Sequence, residues 1–249
     1  MFIGKEDIML RIEGATKQFG GLKAVNNVSL KIKKGDVVGI IGPNGSGKTT
    51  LFNLISGLYP LTSGKIYYKD QDITSLPSNK IADLGIARTF QVVKPFEHIS
   101  AKENVMVGAF QKYPKRADAE KKALEVMKFL GIEKYENVLP SNMPLAMKKQ
   151  LEIARILSLD PEMVLLDEVM GGLNSKETEE ITSVIEKIRN KGITVLIIEH
   201  KMKAIMRLSD KVAVLNNGVL IEYDVPEKVV SNPDVMKAYL GEDYDVEDL

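Results

Sequence analysis

Gly42-Pro43-Asn44-Gly45-Ser46-Gly47-Lys48-Thr49 fulfils, position by position, the phosphate-binding pattern G-x-x-x-x-G-K-[ST]. Glycines let the backbone curl until successive N–H groups point inward at phosphate oxygens, and the helix that follows adds a partial positive charge. Lys48 is then placed to reach the β- and γ-phosphates, and the Thr49 hydroxyl to ligate Mg²⁺. With Thr50 opening the helix, the candidate phosphate-binding set runs unbroken from Gly42 to Thr50. The bland counter-reading is a strand–helix turn that is glycine-rich only for close packing. It requires a full motif match, with a buried strand before it and a helix after it, to be coincidence. The chemistry indicated is the grip of a nucleoside triphosphate with its magnesium.

Such a cradle needs a carboxylate at the end of a neighbouring strand to complete the metal shell. Met163-Val164-Leu165-Leu166-Asp167 supplies one, and Glu168 follows at once. Consecutive side chains on an extended backbone point to opposite sides, so Asp167 is expected to face the metal and Glu168 to polarise an attacking water. His200 lies just past the apolar run Ile193 to Ile198, after Glu199. Two readings stand open for it: an imidazole near the γ-phosphate and the catalytic carboxylate, or a cap on the next helix. His98, the other histidine, has no comparable context and reads as a surface or packing residue.

Short β-rich apolar runs alternate with helix-period segments, which predicts an α/β fold: a largely parallel sheet covered by helices. Ile8 to Ile12 and Val28 to Ile32 instead alternate apolar and polar residues, as half-buried antiparallel strands do. Further strands are expected at Asp36 to Ile41, Lys65 to Tyr68, Val164 to Asp167, Ile193 to Ile198, Val212 to Leu215 and Val219 to Tyr223. The last two flank Asn216-Asn217-Gly218, the signal of a tight hairpin. Between residues 92 and 161 the pattern turns helical, with amphipathic stretches at Ala119 to Leu130 and Leu145 to Leu159. This divides one domain, 1–249, into a core with an antiparallel β part (1–91 and 162–249) and an inserted helical subdomain (92–161).

Composition narrows the class. The 249 residues hold 34 Lys+Arg against 34 Asp+Glu, and no Cys. The balance argues against a nucleic-acid protein working through a bulk basic field, and zero Cys removes disulfides and thiolate chemistry while fitting a reducing compartment. The longest apolar runs are far short of the roughly 20 residues of a spanning helix, and Met1 to Arg11 lacks the apolar stretch of a signal peptide. A cytoplasmic chain that reaches a membrane only through a partner is expected. The acidic end after Gly241 reads as a solvated, frayed terminus.

In this order, these elements resemble the ATP-binding subunit of ABC transporters over essentially the whole chain. Gly85-Ile86-Ala87-Arg88-Thr89-Phe90-Gln91, Leu151-Glu152-Ile153-Ala154-Arg155 and Ala238-Tyr239-Leu240-Gly241-Glu242 are most similar to the branched-chain amino-acid uptake subfamily. The resemblance implies a P-loop NTPase core with an N-terminal antiparallel β subdomain and an inserted helical subdomain. It implies ATP and Mg²⁺ as cofactors, and permease subunits, a second ATPase subunit and, indirectly, a substrate-binding protein as partners. The place of work would be the inner face of the cell membrane. It makes Phe19 the aromatic that stacks on adenine, Gln91 a contact to Mg²⁺ and the attacking water, Asp167 the metal ligand, Glu168 the catalytic base and His200 the switch histidine. Phe19 as plain core and Gln91 as a mere strand end remain the alternatives. Gly171-Gly172-Leu173-Asn174 falls where the family crosses the dimer interface, and the loop after Gln91 (Val92, Val93, Pro95, Phe96) where it docks on the membrane subunit.

Two positions depart from the family pattern. Val169 stands where Pro usually follows the catalytic Glu, which would loosen the turn. Met143-Pro144-Leu145-Ala146-Met147 stands where the signature Leu-Ser-Gly-Gly-Gln is expected. Pro144 removes a hydroxyl and an N–H, although a helix from Leu145 can still form behind it.

A soluble ATPase of the same superfamily and a nucleotide-gated module that does not hydrolyse are the competing functions. The single cassette without a long heptad run disfavours the first; Glu168 with His200 disfavours the second, for which the altered signature argues mildly. A GTPase is disfavoured because Asn190-Lys191-Gly192-Ile193 only approaches the guanine-reading pattern. Each hydrogen bond lost from the signature to a charged phosphate is worth roughly 1.5–3 kcal/mol. The resemblance implies that this segment reaches across a dimer and clasps the γ-phosphate held by the other subunit's P-loop; that site should therefore hydrolyse poorly, while the chain's own P-loop works when a partner supplies an intact signature. Slow ATPase turnover by the purified chain, raised by Pro144→Ser with Ala146→Gly, is the expected outcome; vigorous turnover indifferent to both substitutions would defeat it.

Overall fold

Strands apolar at every position must be covered on both faces, whereas alternating strands need cover on one. Both kinds occur in the computed structural model, which describes residues 7–89 and 94–240. In chain order the elements are β1 (Ile8–Phe19), β2 (Leu22–Lys33), β3 (Val37–Ile41), α1 (Lys48–Ile55), β4 (Ser63–Tyr68), β5 (Gln71–Asp72), α2 (Ser78–Asp83), β6 (Ile86–Arg88), α3 (Ala101–Ala109), α4 (Arg116–Leu130) and α5 (Leu145–Leu157). They continue with β7 (Met163–Asp167), α6 (Ser175–Asn190), β8 (Thr194–Ile198), α7 (Met202–Leu208), β9 (Lys211–Asn216), β10 (Val219–Asp224), α8 (Pro226–Ser231) and α9 (Pro233–Leu240).

The six-stranded sheet has the order β10-β9-β3-β8-β7-β6. Its β9, β3, β8, β7 and β6 run parallel, and β10 pairs antiparallel at one edge. Strand parity sorts the side chains. Val37, Ile41, Val164, Leu166, Val195 and Ile197 face the core shared with the helices between residues 101 and 190. Val38, Ile40, Leu165, Leu196 and Ile198 face the core that holds α1 and the second sheet. That second sheet, β2-β1-β4-β5, is antiparallel throughout. The two alternating strands expected near the start of the chain thus pair as predicted and extend to 12 residues each.

The hairpin at residues 216–219 closes as expected: Asn216 pairs with Val219, and Asn217 (φ 46°) and Gly218 (φ 79°) both take positive φ, the demand of a type I′ turn. The Gly218 N–H donates to the Ser46 carbonyl (3.0 Å), and the Gly218 carbonyl accepts from the Asn26 N–H (2.8 Å). The hairpin therefore bolts the glycine-rich loop to β2.

The connection from β7 to α6 lacks the expected proline, yet it is fastened at several points. The Glu168 carbonyl accepts from the Lys149 ammonium of α5 (2.7 Å), and the Met170 N–H donates to the Glu199 carboxylate (2.5 Å). The Leu173 carbonyl accepts from Lys201 (2.6 Å). Asn174 ends the connection as the N-cap of α6 in a reciprocal capping box with Glu177, an arrangement that satisfies two otherwise orphaned N–H groups.

Glu199 is 2% exposed. Burial pushes its carboxyl from an ordinary 4.5 up to about 7, against the pull of the Met170 and His200 N–H groups and of Lys149. A raised acid pKa means that the folded state holds the proton more tightly than the unfolded chain. Its contribution to stability is complete below about pH 4.5 and is lost as pH rises towards 7, an amplitude of about 3 kcal/mol. Glu199→Gln keeps an acceptor for the Met170 N–H but cannot titrate, so its stability should fall less over that window. Thermal midpoints of both proteins from pH 4.5 to 7.5 measure the effect, and parallel curves would refute it.

Candidate nucleotide-binding site

The loop between β3 and α1 owes its shape to two glycines that no other residue could replace. Gly42 has φ 145°, and a Cβ there would lie 2.0 Å from the Leu215 carbonyl oxygen; Gly47 has φ 102°, and a Cβ would lie 2.3 Å from that of Ala24. The backbone thus passes between β9 and β2 with no room for side chains. Gly47 is the N-cap of α1, which carries no side-chain cap and no acidic residue in its first turn. The first amides of α1 are left for an external anion. The buried Lys48 ammonium donates to the loop's own carbonyls, Gly42 at 2.8 Å and Pro43 at 2.9 Å. Burial pulls it below its ordinary range, opposed by the negative charges of Glu168 and Asp167.

Asn44 to Thr50, Ala24, Glu168 and His200 line one cleft of about 230 Å³. His200 Nε2 and Glu168 Oε1 are 3.2 Å apart and both residues line the cleft, while the N-cap of α7 is Lys201, without a side-chain cap. The two adjacent carboxylates diverge, but not as an extended strand would make them. The Glu168 N–H still donates to the Ile198 carbonyl (2.9 Å), yet Glu168 has φ 50°. The chain turns through the left-handed region there, which costs a non-glycine residue of order 1–3 kcal/mol and is typical of functional sites.

Asp167 ends β7 on the face that holds α1, with its side chain buried. Its Oδ2 accepts from Arg88 Nη2 (2.9 Å), while Oδ1 is buried without a hydrogen-bond partner. Burial pushes this carboxyl above the usual range, with the Arg88 guanidinium the main opposing influence. A desolvated carboxylate oxygen left without a donor fits a site that receives a cation. Among the described residues no group of three or more His, Cys, Asp or Glu could cage a metal. Mg²⁺ needs no such cage, since one or two protein oxygens plus phosphates and water hold it. Asp167 and Thr49 fit that requirement.

Phe19 ends β1 half-exposed, packed edge-on against Tyr59 with ring centroids 5.4 Å apart; it is not among the residues lining the cleft. Gln91, with Val92 and Val93, lies outside the described residues. His98 is exposed, as expected. Pro144 occupies the N-cap of α5 and offers no side-chain cap, and Leu145 beside it is exposed.

Sequence reading passed over Arg88, Lys149 and Glu199. Arg88 stood inside the quoted stretch Gly85 to Gln91, and a charge closing an apolar strand was the available signal. Lys149 and Glu199 carried none, because their partners lie 19 and 29 residues away.

The ABC transporter family profile matches residues 25–171. The high-affinity branched-chain amino acid transport ATP-binding protein LivG of Escherichia coli (strain K12) is 40% identical, covering 94% of this chain and 98% of LivG. Among solved structures, the ADP conformation of MJ1267, an ATP-binding cassette of an ABC transporter, superposes with a TM-score of 0.87 at 31% identity, covering 94% of this chain and 99% of the other. The cassette MJ0796, dimeric and bound to ADP and Pi in a post-hydrolysis state, gives 0.79 at 27% identity, covering 88% and 99%. With the cradle, Glu168 and the histidine lining one cleft and Asp167 buried at the end of β7, this likeness along nearly the whole chain establishes that it belongs to the ABC transporter family, as an ATP-binding cassette.

Proposed function

We propose that this cassette hydrolyses MgATP to drive a membrane permease that imports branched-chain or similar hydrophobic amino acids. The observation that carries the reading is the meeting of Glu168 and His200, 3.2 Å apart, at the mouth of the Lys48 cradle. The likeness to LivG across 94% of the chain supports the substrate class. The likeness to a cassette dimer supports a second ATPase subunit.

In this reading the amides of residues 45–50 and the Lys48 ammonium bind the β- and γ-phosphates, exchanging the bonds Lys48 makes to Gly42 and Pro43 for bonds to anionic oxygen. Thr49 and Asp167, with Gln91, would hold Mg²⁺, which would supply charge neutralisation for the phosphates. Glu168 accepts a hydrogen bond from water and aligns it with the γ-phosphorus. His200 fixes the Glu168 carboxylate and can donate to the γ-phosphate. Phe19 lies beside the adenine. Among the described residues no helix is long and apolar enough to cross a membrane, so the membrane is met through permease subunits. The contact would use the helical part (residues 92–161) and the segment around the exposed Phe96, which the buried Asn104 holds through the Phe96 N–H and carbonyl (2.8 and 2.9 Å). A substrate-binding protein would act at one remove, on the far face of the permease.

Glu168→Gln should bind ATP like the parent yet lose at least about a hundredfold in turnover, the order of a general-base contribution. Equilibrium binding alongside phosphate release tests this, and unimpaired hydrolysis would show the base to be misassigned. Lys48→Ala should abolish magnesium-dependent ATP uptake in calorimetry. Retained uptake would remove the basis of the reading.

A further inference from the structure

Arg88, at the end of β6, is buried by the elements it joins. Its Nη1 donates to Asn53 Oδ1 (2.6 Å) and Ser56 Oγ (3.1 Å) on and just after α1, and its Nη2 donates to Asp167 Oδ2 (2.9 Å) at the end of β7. The guanidinium carbon lies 5.5 Å from the centre of the Phe52 ring. The neighbouring Thr89 hydroxyl accepts from the Asp167 N–H (3.0 Å). Backbone and carboxylate of Asp167 are therefore both held from β6. One carboxylate oxygen is spent on Arg88, and the other is left buried without a hydrogen-bond partner.

Asn53 is four residues beyond Thr49 on α1, so the two side chains share a helix face. One planar, forked cation thus ties the helix that carries Thr49 to the strand that carries Asp167. We propose that Arg88 is a positioning residue for the magnesium shell: it sets the register of α1 against β7 and turns Asp167 so that Oδ1 is the ligating oxygen. The inference rests on the MgATP reading above. A lysine could keep the charge but not the three-way fork.

The test uses the full chain and trinitrophenyl-ATP as fluorescent probe, titrated first in EDTA and then against MgCl₂. The parent should bind more tightly as Mg²⁺ rises. Arg88→Lys and Asn53→Ala should each shift the Mg²⁺ midpoint upward, Arg88→Lys by about tenfold or more as outer-shell changes at metal sites do. Their affinity for the probe in EDTA should stay within about twofold of the parent. Asn53→Ala leaves the Arg88–Asp167 pair in place, so it decides the matter if Arg88→Lys loses its cooperative thermal transition. Unchanged Mg²⁺ midpoints in the folded variants would overturn the positioning role while leaving the MgATP reading intact. A parent indifferent to Mg²⁺ would remove both.

Discussion

A parallel sheet buried on both faces leaves charge only one address, the ends of its strands. Along β3, β7 and β8 every residue is buried. Polar side chains gather at the carboxyl edge, where these strands end: Asn44, Ser46 and Lys48 after β3, Asp167 and Glu168 at and just past the end of β7, Glu199 and His200 after β8. Ligands of open α/β sheets bind at that edge. Asp167, the site carboxylate drawn below the surface, is matched by the buried guanidinium of Arg88. Removing one partner of such a pair is strongly destabilising, since it leaves a buried charge uncompensated.

What was legible in the sequence was whatever is local. The glycine-rich loop, the apolar run closing in Asp167, and the Asn-Gly hairpin each announce themselves within ten residues. The capping pair Asn174 and Glu177 is as local, three residues apart at the start of α6. What escaped was long-range. Arg88 meets partners 35 and 79 residues away, and nothing in the spacing signals a guanidinium bridging a helix and a strand. Strand β6 is three residues long, too short for its period to show. The hairpin was legible, but its grip on Ser46 and Asn26 was not, because pairing of a turn with another element depends on how sheets stack. The left-handed conformation of Glu168 could not be read from an acidic residue, since glutamate has no preference for it.

The chain compensates for Val169 with charge. Where a proline would stiffen the turn after Glu168, Lys149, Glu199 and Lys201 hold three of its main-chain groups. Lys149 belongs to α5, the helix that opens at the altered signature segment, and a Cβ on Gly172 would lie 3.3 Å from Leu145 at that helix's start. The main chain of Glu168 is therefore tied to α5 through Lys149.

Lys48 rests on the carbonyl oxygens of Gly42 and Pro43, so the cradle props itself. In the proposed MgATP reading, an incoming triphosphate meets this already folded loop and displaces two internal bonds, with little loop ordering left to oppose it. Departing product hands the ammonium back to the same two oxygens. In the proposed reading, each round then begins from the same folded receptor.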